Sequence, residues 1–187
     1  MPATLRFEDV GSQSDALEKI ASLIRKGSID PRIVAAARAL TRDCRSRDDM
    51  CELSAIYNAV KNGDDRVSWL KRGMRYVADP HSWDTFSSVN AIILDCTAGS
   101  CAGDCDDATI LIGSLTAALG FMAGARAWGK GRNQAGEFQH VYAVAAVPKA
   151  GPWPNPRENA VGLDVTVERF DVGDEPEGGH VMTSWIQ

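Results

Sequence analysis

Apolar positions in the first third of the chain recur at helical spacing. Leu17, Ile20, Ala21 and Ile24 fall on one face of a helix, with Ser12, Ser14 or Asp15 as its cap and Gly27 as its end. Asp30-Pro31 predicts a second start. Asp caps, and Pro fits the first turn, where the N–H it lacks has no intrahelical partner. Ile33, Val34, Ala37 and Leu40 form the stripe of that helix. A third helix is expected from about Asp48, with Leu53, Ile56, Tyr57 and Val60 on one face, and Asn62-Gly63-Asp64 reads as a turn. Arg75-Tyr76-Val77 reads as extended. Ser82-Trp83-Asp84 predicts a further helix running towards Leu94.

The pattern then breaks. Between Cys96 and Cys105 the residues are nearly all small, which predicts a tight loop. After it, Ala108, Leu111, Ile112, Leu115 and Leu119 predict an amphipathic helix stopped by Gly120. Downstream the period changes to that of strands. Phe121 to Trp128 and Phe138 to Val147 read as two strands, and Val161, Leu163, Val165 and Val167 alternate as a third. A turn is expected over 129–136, a Pro-rich loop over 148–156, and a mobile acidic loop from Asp171 to Gly179. Helices first, one central helix, then antiparallel strands predict an α+β domain rather than alternating βαβ units.

Bulk properties narrow the function classes. The 187 residues are enough for one domain with a real core. A formal net charge of -5 excludes non-specific nucleic-acid binding, which needs a basic footprint. Arg25, Lys26, Arg32 and Arg38 read as solvated helix faces. No apolar run is long enough to span a bilayer, and the N-terminus lacks the pattern of a signal peptide. The expected site of synthesis is therefore the cytoplasm, where five cysteines are expected as reduced thiols, one of them reactive.

The chemistry-bearing segment is Gly103-Asp104-Cys105-Asp106-Asp107. Cys105 stands between a tight loop and the first turn of a helix, where unpaired N–H groups and the helix dipole favour a thiolate, the nucleophilic form. Asp106 and Asp107 oppose this by repulsion, and they read as capping and loop-holding groups. His140, in Phe138-Gln-His-Val-Tyr142, is the candidate base, and Asp164, in Gly162-Leu-Asp-Val-Thr166, the carboxylate that orients it. His81 and His180 are weaker candidates, read as surface residues. Cys96, Cys101 and Cys105 with a histidine form a zinc alternative whose spacing is not that of a structural site. Cys96 and Cys101 read as an oxidation-dependent pair or as packing residues, and Cys44 and Cys51 as core or surface residues. The five tryptophans read mostly as core or cleft wall, with Trp153 as a lid or wall.

Taken together, Gly-Asp-Cys-Asp-Asp before an Ala/Leu/Ile helix ending in Leu119-Gly120, then His140-Val141, then Leu163-Asp164-Val-Thr166, resemble the transglutaminase-like superfamily, in particular its microbial and phage-borne branch. The resemblance runs from about Tyr57 to Val167 and includes Tyr76-Val77 and Asp79-Pro80. It implies a papain-like core over 57–167, with helical 1–56 before it and a C-terminal extension over 168–187. It implies a nucleophile at the N-terminus of a central helix packed on an antiparallel sheet. It also implies thiol acyl chemistry on a peptide or protein amide: proteolysis, amide hydrolysis or transamidation through Cys105, His140 and Asp164. Asp106 stands where animal transglutaminases carry an aromatic residue, and no EF-hand-type calcium loop is present, so neither a metal nor a cofactor is expected. The competing class is a structural protein of a phage virion or tail, docking to other virion proteins through its acidic surface and N-terminal helices.

Overall fold

Three helices with side-chain caps open the fold. In a computed structural model, which describes residues 12–77, 86–130, 138–151 and 158–186, α1 spans Gln13–Ser28, α2 Pro31–Thr41 and α3 Asp49–Asn62. Ser12, Asp30 and Asp48 are the N-caps, each accepting a hydrogen bond from a backbone N–H of the first turn. Pro31 occupies the first turn of α2, as its φ restriction favours. Gly27 does not end α1. It lies inside the helix and is buried, and a Cβ there would collide with Ser114 and Val89, so this glycine lets two helices approach closely.

Strand β1 (Arg75–Tyr76) pairs in parallel with β2 (Ala102–Gly103), and between them lies α4 (Val89–Thr97), capped by Ser88. The expected helix start at 82–84 lies outside the described residues, as do Asp79-Pro80, His81, Trp153 and most of the predicted 129–136 turn and 148–156 loop. α5 (Cys105–Ala118) is the centre of the molecule. It is buried on every side from Ala108 to Thr116, not on one face as the spacing of its leucines and isoleucines suggested. α1, α2 and α3 pack around it, and it lies on the sheet. Its polar residues survive burial by bonding locally: the Thr109 hydroxyl donates to Cys105 O, and that of Thr116 to Ile112 O.

The sheet contains β3 (Ala123–Gly129), β4 (His140–Ala146), β5 (Ala160–Leu163) and β6 (His180–Trp185), in the order β5-β4-β3-β6 with every pairing antiparallel. The fold is therefore α+β. Alternate residues of β3 and β4, including Ala125, Ala127, Val141 and Ala143, join the core with α5. β5 stops at Leu163, although Val165 and Val167 continue the alternation. The Asp164 carboxylate accepts the Thr166 N–H at 3.1 Å and its hydroxyl at 2.7 Å, a local turn that replaces ladder bonds.

The acidic segment from Asp171 to Gly179, expected to be mobile, is tied down. Gly173 N–H donates to Gly162 O, Glu175 pairs with Arg126, and the Trp128 indole donates to Gly178 O. The segment leads into β6, which joins the sheet beside β3. Among the described residues, no helix is long and apolar enough to cross a membrane.

Candidate active site

The loop before α5 is held from two directions. Arg75 N–H donates to Cys101 O at 2.9 Å and Val77 N–H to Gly103 O at 2.8 Å. On the helix side, Asp104 is the N-cap, its carboxylate accepting the Asp107 N–H at 3.3 Å, while Asp107 Oδ1 accepts the Ser87 N–H at 3.0 Å. Asp107 thus holds the loop, as expected, while the cap is Asp104 and not Asp106. Cys105 is the first residue of α5 and is half-buried. Its own N–H belongs to the set at a helix N-terminus that has no intrahelical acceptor.

The expectation of reduced thiols is overturned. Cys44 is bonded to Cys51 and Cys96 to Cys101, so Cys105 is the one free cysteine of the five. The first disulfide joins residues seven apart across the α2–α3 connection, and the second closes the turn after α4. A zinc site built on Cys96, Cys101 and Cys105 is excluded by that second bond, since a disulfide sulfur is not a thiolate ligand.

His140 is the first residue of β4, and Asp164 follows directly on β5; the pair Ala143↔Leu163 sets their relative height. His140 Nε2 lies 2.7 Å from Asp164 Oδ2. The Cys105 side chain lines one cavity with the imidazole and acts on its titration. Burial alone would push the imidazole pKa down. The hydrogen bond to Asp164, the Cys105 side chain and the negative charge of both partners outweigh burial and raise it to about 9.

Asp164 is 1% exposed, a carboxylate almost wholly out of water. Burial pushes its pKa up, but the bond and charge of His140, followed by the two Thr166 bonds, win and hold it below the usual value. The Tyr57 hydroxyl of α3 donates to Asp164 O at 3.0 Å and to Phe170 O at 2.6 Å. Lys61 Nζ also reaches Phe170 O. Neither Thr166 nor Tyr57 was singled out from the sequence as a site residue. The Thr two residues after Asp is a readable signal for a local turn, whereas the Tyr57 contact spans more than a hundred residues and leaves no local trace.

His180 opens β6 and is half-buried, its ring 4.9 Å from that of Phe138. The solvated-face reading holds for Arg25, Lys26, Arg32 and Arg38, which are all exposed. Oxygens of Asp104, Asp106 and Asp107 lie within 4.8 Å of one another, close enough for one cation, but Asp104 and Asp107 already serve as backbone acceptors.

Two cavities adjoin His140. One of about 210 Å³ holds Cys105 and His140 together, with Gln13, Leu17, Phe86 and Phe138 among its walls. The other, about 800 Å³, holds His140 with Tyr76, Trp128, Phe170 and part of the acidic loop. Trp128 is a cleft wall, as expected of the tryptophans.

No family model matches the chain, and a search of curated proteins also finds no match. A solved structure, the crystal structure of a "putative protease from Parabacteroides distasonis", superposes with a TM-score of 0.48 at 15% identity over 84% of this chain. The matched part is 31% of that protein's chain, and a likeness of this degree transfers neither an activity nor a family name.

Proposed function

We propose that the chain is a thiol acyl-transfer enzyme, a cysteine peptidase, amidase or transglutaminase-like acyltransferase, with Cys105 as nucleophile, His140 as proton carrier and Asp164 as orienter. One observation carries the reading. A single imidazole lines one cavity with the one free cysteine and lies, through Nε2, 2.7 Å from a buried carboxylate, that of Asp164. The resemblance of the sequence to the transglutaminase-like superfamily agrees with it.

The chemistry follows from the geometry. Asp164 fixes His140 through Nε2, which leaves Nδ1 to exchange a proton with Cys105. The Cys105 thiolate adds to an amide carbonyl carbon, and the oxyanion that forms meets the unpaired N–H of Cys105 at the helix N-terminus. The C–N bond then breaks, and the departing nitrogen takes the proton from the imidazolium. The thioester is resolved by water or by a second amine, whose proton passes to His140 as the thiolate leaves.

The test is the rate of Cys105 alkylation by iodoacetamide between pH 4 and pH 10, read by mass spectrometry, in the unreduced protein and in His140→Ala. Faster alkylation near pH 6 than in the denatured chain, lost in the variant, supports the thiolate–imidazolium pair. A Cys105 that titrates like a thiol of the denatured chain, with or without His140, removes the reading. The alternative, a phage virion or tail-assembly protein that keeps the fold, rests on the resemblance alone; a protein that stays monomeric and co-purifies with nothing counts against it.

A further inference from the structure

We propose that the larger cavity beside His140 receives the amine side of the scissile amide, and that it takes a basic side chain there, a protonated alkylamine or a guanidinium. The proposal rests on the acyl-transfer reading above and adds to it a substrate class.

The position of the subsite follows from which residues the cavities share. The smaller holds both Cys105 and His140; the larger holds His140 without Cys105. In thiol acyl transfer the carbonyl half stays on sulfur, while the nitrogen half departs with the imidazole's proton. The departing nitrogen therefore lies beside the imidazole nitrogen that faces sulfur, and the chain beyond it runs past the ring towards the cavity of about 800 Å³ that His140 lines without Cys105.

The class of side chain follows from the walls. Tyr76, Trp128 and Phe170 supply aromatic surface. Asp174, Glu175 and Glu177 supply carboxylates from a loop, Asp171 to Gly179, that has four acidic residues and no Lys or Arg. Glu175 is already spent. Its two oxygens lie 2.6 and 2.8 Å from Arg126 Nη1, and Tyr142 donates to it as well. That buried anchor fixes the loop against the sheet, and the Trp128 indole bond to Gly178 O fixes its far end. Glu177 makes no ion pair among the described residues, and Asp174 bonds only a backbone N–H of its own loop. The cations in the described wall are the His140 imidazolium, already paired with Asp164, and Arg169, whose guanidinium lies over the Phe170 ring, 5.8 Å from its centroid. A cavity with aromatic walls and two carboxylates outside any ion pair, against the single guanidinium of Arg169, attracts a cation through both the ring quadrupole and Coulomb's law. An anionic side chain meets repulsion at the same place.

The experiment compares two methanethiosulfonate reagents of similar size on the unreduced protein, one carrying a trimethylammonium group and one a sulfonate. Both form a disulfide with Cys105 and release methanesulfinate, so no turnover is needed. The expected result is that the cationic reagent is favoured by about fivefold or more over its ratio on the denatured chain. Asp104, Asp106 and Asp107 also lie near Cys105, so the deciding comparison is the variant. In Asp174→Asn/Glu177→Gln, and to a lesser degree in the exposed single variant Glu177→Gln, the preference is expected to shrink towards that of the denatured chain. Equal rates in the wild type, or a preference that both variants retain in full, overturns the proposal. The outcome is independent of iodoacetamide labelling in His140→Ala, so failure of the subsite and failure of the acyl-transfer reading give different results.

Discussion

His140 and Asp164 face each other across two adjacent antiparallel strands, 2.7 Å apart, and the carboxylate of that pair is almost wholly excluded from water. Two opposite effects act on the imidazole: burial pulls its pKa down, and the Asp164 and Cys105 contacts push it up. Asp164→Asn removes much of the upward push and leaves burial in place. The His140 pKa is then expected to fall from about 9 towards its ordinary 6.5. An NMR titration of the three histidines reads this directly. Amide turnover, where a substrate is in hand, is expected to fall about a hundredfold or more, because the imidazole loses both its charge and its fixed orientation. An unmoved titration would mean that Asp164 does not control the imidazole.

The same pair makes stability depend on pH, with a sign set by the two shifts. The His140 pKa is raised in the fold, so its contribution is complete below 6.5 and is lost as pH rises through about 9. The Asp164 pKa is lowered, so its contribution is present above 3.8 and is lost as pH falls through the lower folded value. Wild-type stability is therefore expected to decline between pH 6.5 and 9 by about 1–3 kcal/mol more than that of His140→Ala. Urea denaturation at a series of pH values checks it; parallel curves for the two proteins would refute the linkage.

What the sequence revealed and what it hid divide along the range of the interactions. Asp30 was readable as a cap, Ser12 as one of three candidates, and Asp48 as the start of a helix, because a cap bonds within its own first turn. Cys105, His140 and Asp164 were readable as candidates because a helix start and two alternating strands are local patterns. The end of β5 at Leu163 was missed because the apolar alternation runs on to Val167, while the Thr166 bonds to Asp164 turn the chain. The all-round burial of α5 was missed because Thr109, Ser114 and Thr116 look solvent-facing, yet each finds a backbone carbonyl inside the core. The Cys96–Cys101 pair was one of two readings of those cysteines, whereas the Cys44–Cys51 bond and the role of Tyr57 depend on contacts that the assembled fold supplies.

Tyr57 ties the strand side of the site to α3. Its single hydroxyl proton is shared between Asp164 O and Phe170 O, and burial followed by the Asp164, Asp171 and Asp174 charges keeps that hydroxyl protonated well above the usual range. Tyr57→Phe leaves the ring and takes the donor from two carbonyls, one of which Lys61 still serves. The expected loss of stability is about 1–2 kcal/mol in urea, the range for a buried acceptor left short of a partner. Since Asp164 loses only a backbone anchor, the His140 titration is expected to stay near 9. A large drop there would make Tyr57 part of the electrostatics of the site and not only of its scaffold.

The cysteine pairing has a direct count. The unreduced native protein is expected to react with one equivalent of a thiol reagent, at Cys105, and the reduced, denatured chain with five. Cys96→Ser/Cys101→Ser removes a short closed loop immediately before the nucleophile. On chain entropy alone its loss is expected to cost about 2 kcal/mol. Because the same loop hands on the β2 pairing and the Asp104 cap, Cys105 alkylation in this double variant is expected to lose part of its advantage near pH 6. Removing Cys44–Cys51, which lies at the α2–α3 connection, is expected to lower stability and leave that pH dependence unchanged. Equal effects of the two double variants on Cys105 would separate the loop clamp from the reactivity of the thiol.

Gly27 tests how α5 is held in the centre of the fold. A methyl group there would collide with Ser114 of α5 and lie 2.5 Å from Val89 Cγ2 of α4, with no flexible side chain to yield. In an isolated helix Gly→Ala is favourable by about 1 kcal/mol. Here overpacking is expected to reverse the sign and make Gly27→Ala destabilising by about 1–3 kcal/mol, since α1 must move away from both neighbours. Ser114→Ala in the same chain removes the nearest obstructing hydroxyl, which also gives up its bond to Ile24 O. The double variant is therefore expected to recover part of the loss, a coupling that a thermal-denaturation double-mutant cycle measures. If Gly27→Ala instead raises the melting temperature, α1 and α5 are not as close as 27 and 114 require, and the shape of the smaller cavity, which α1 lines beside Cys105, has to be redrawn.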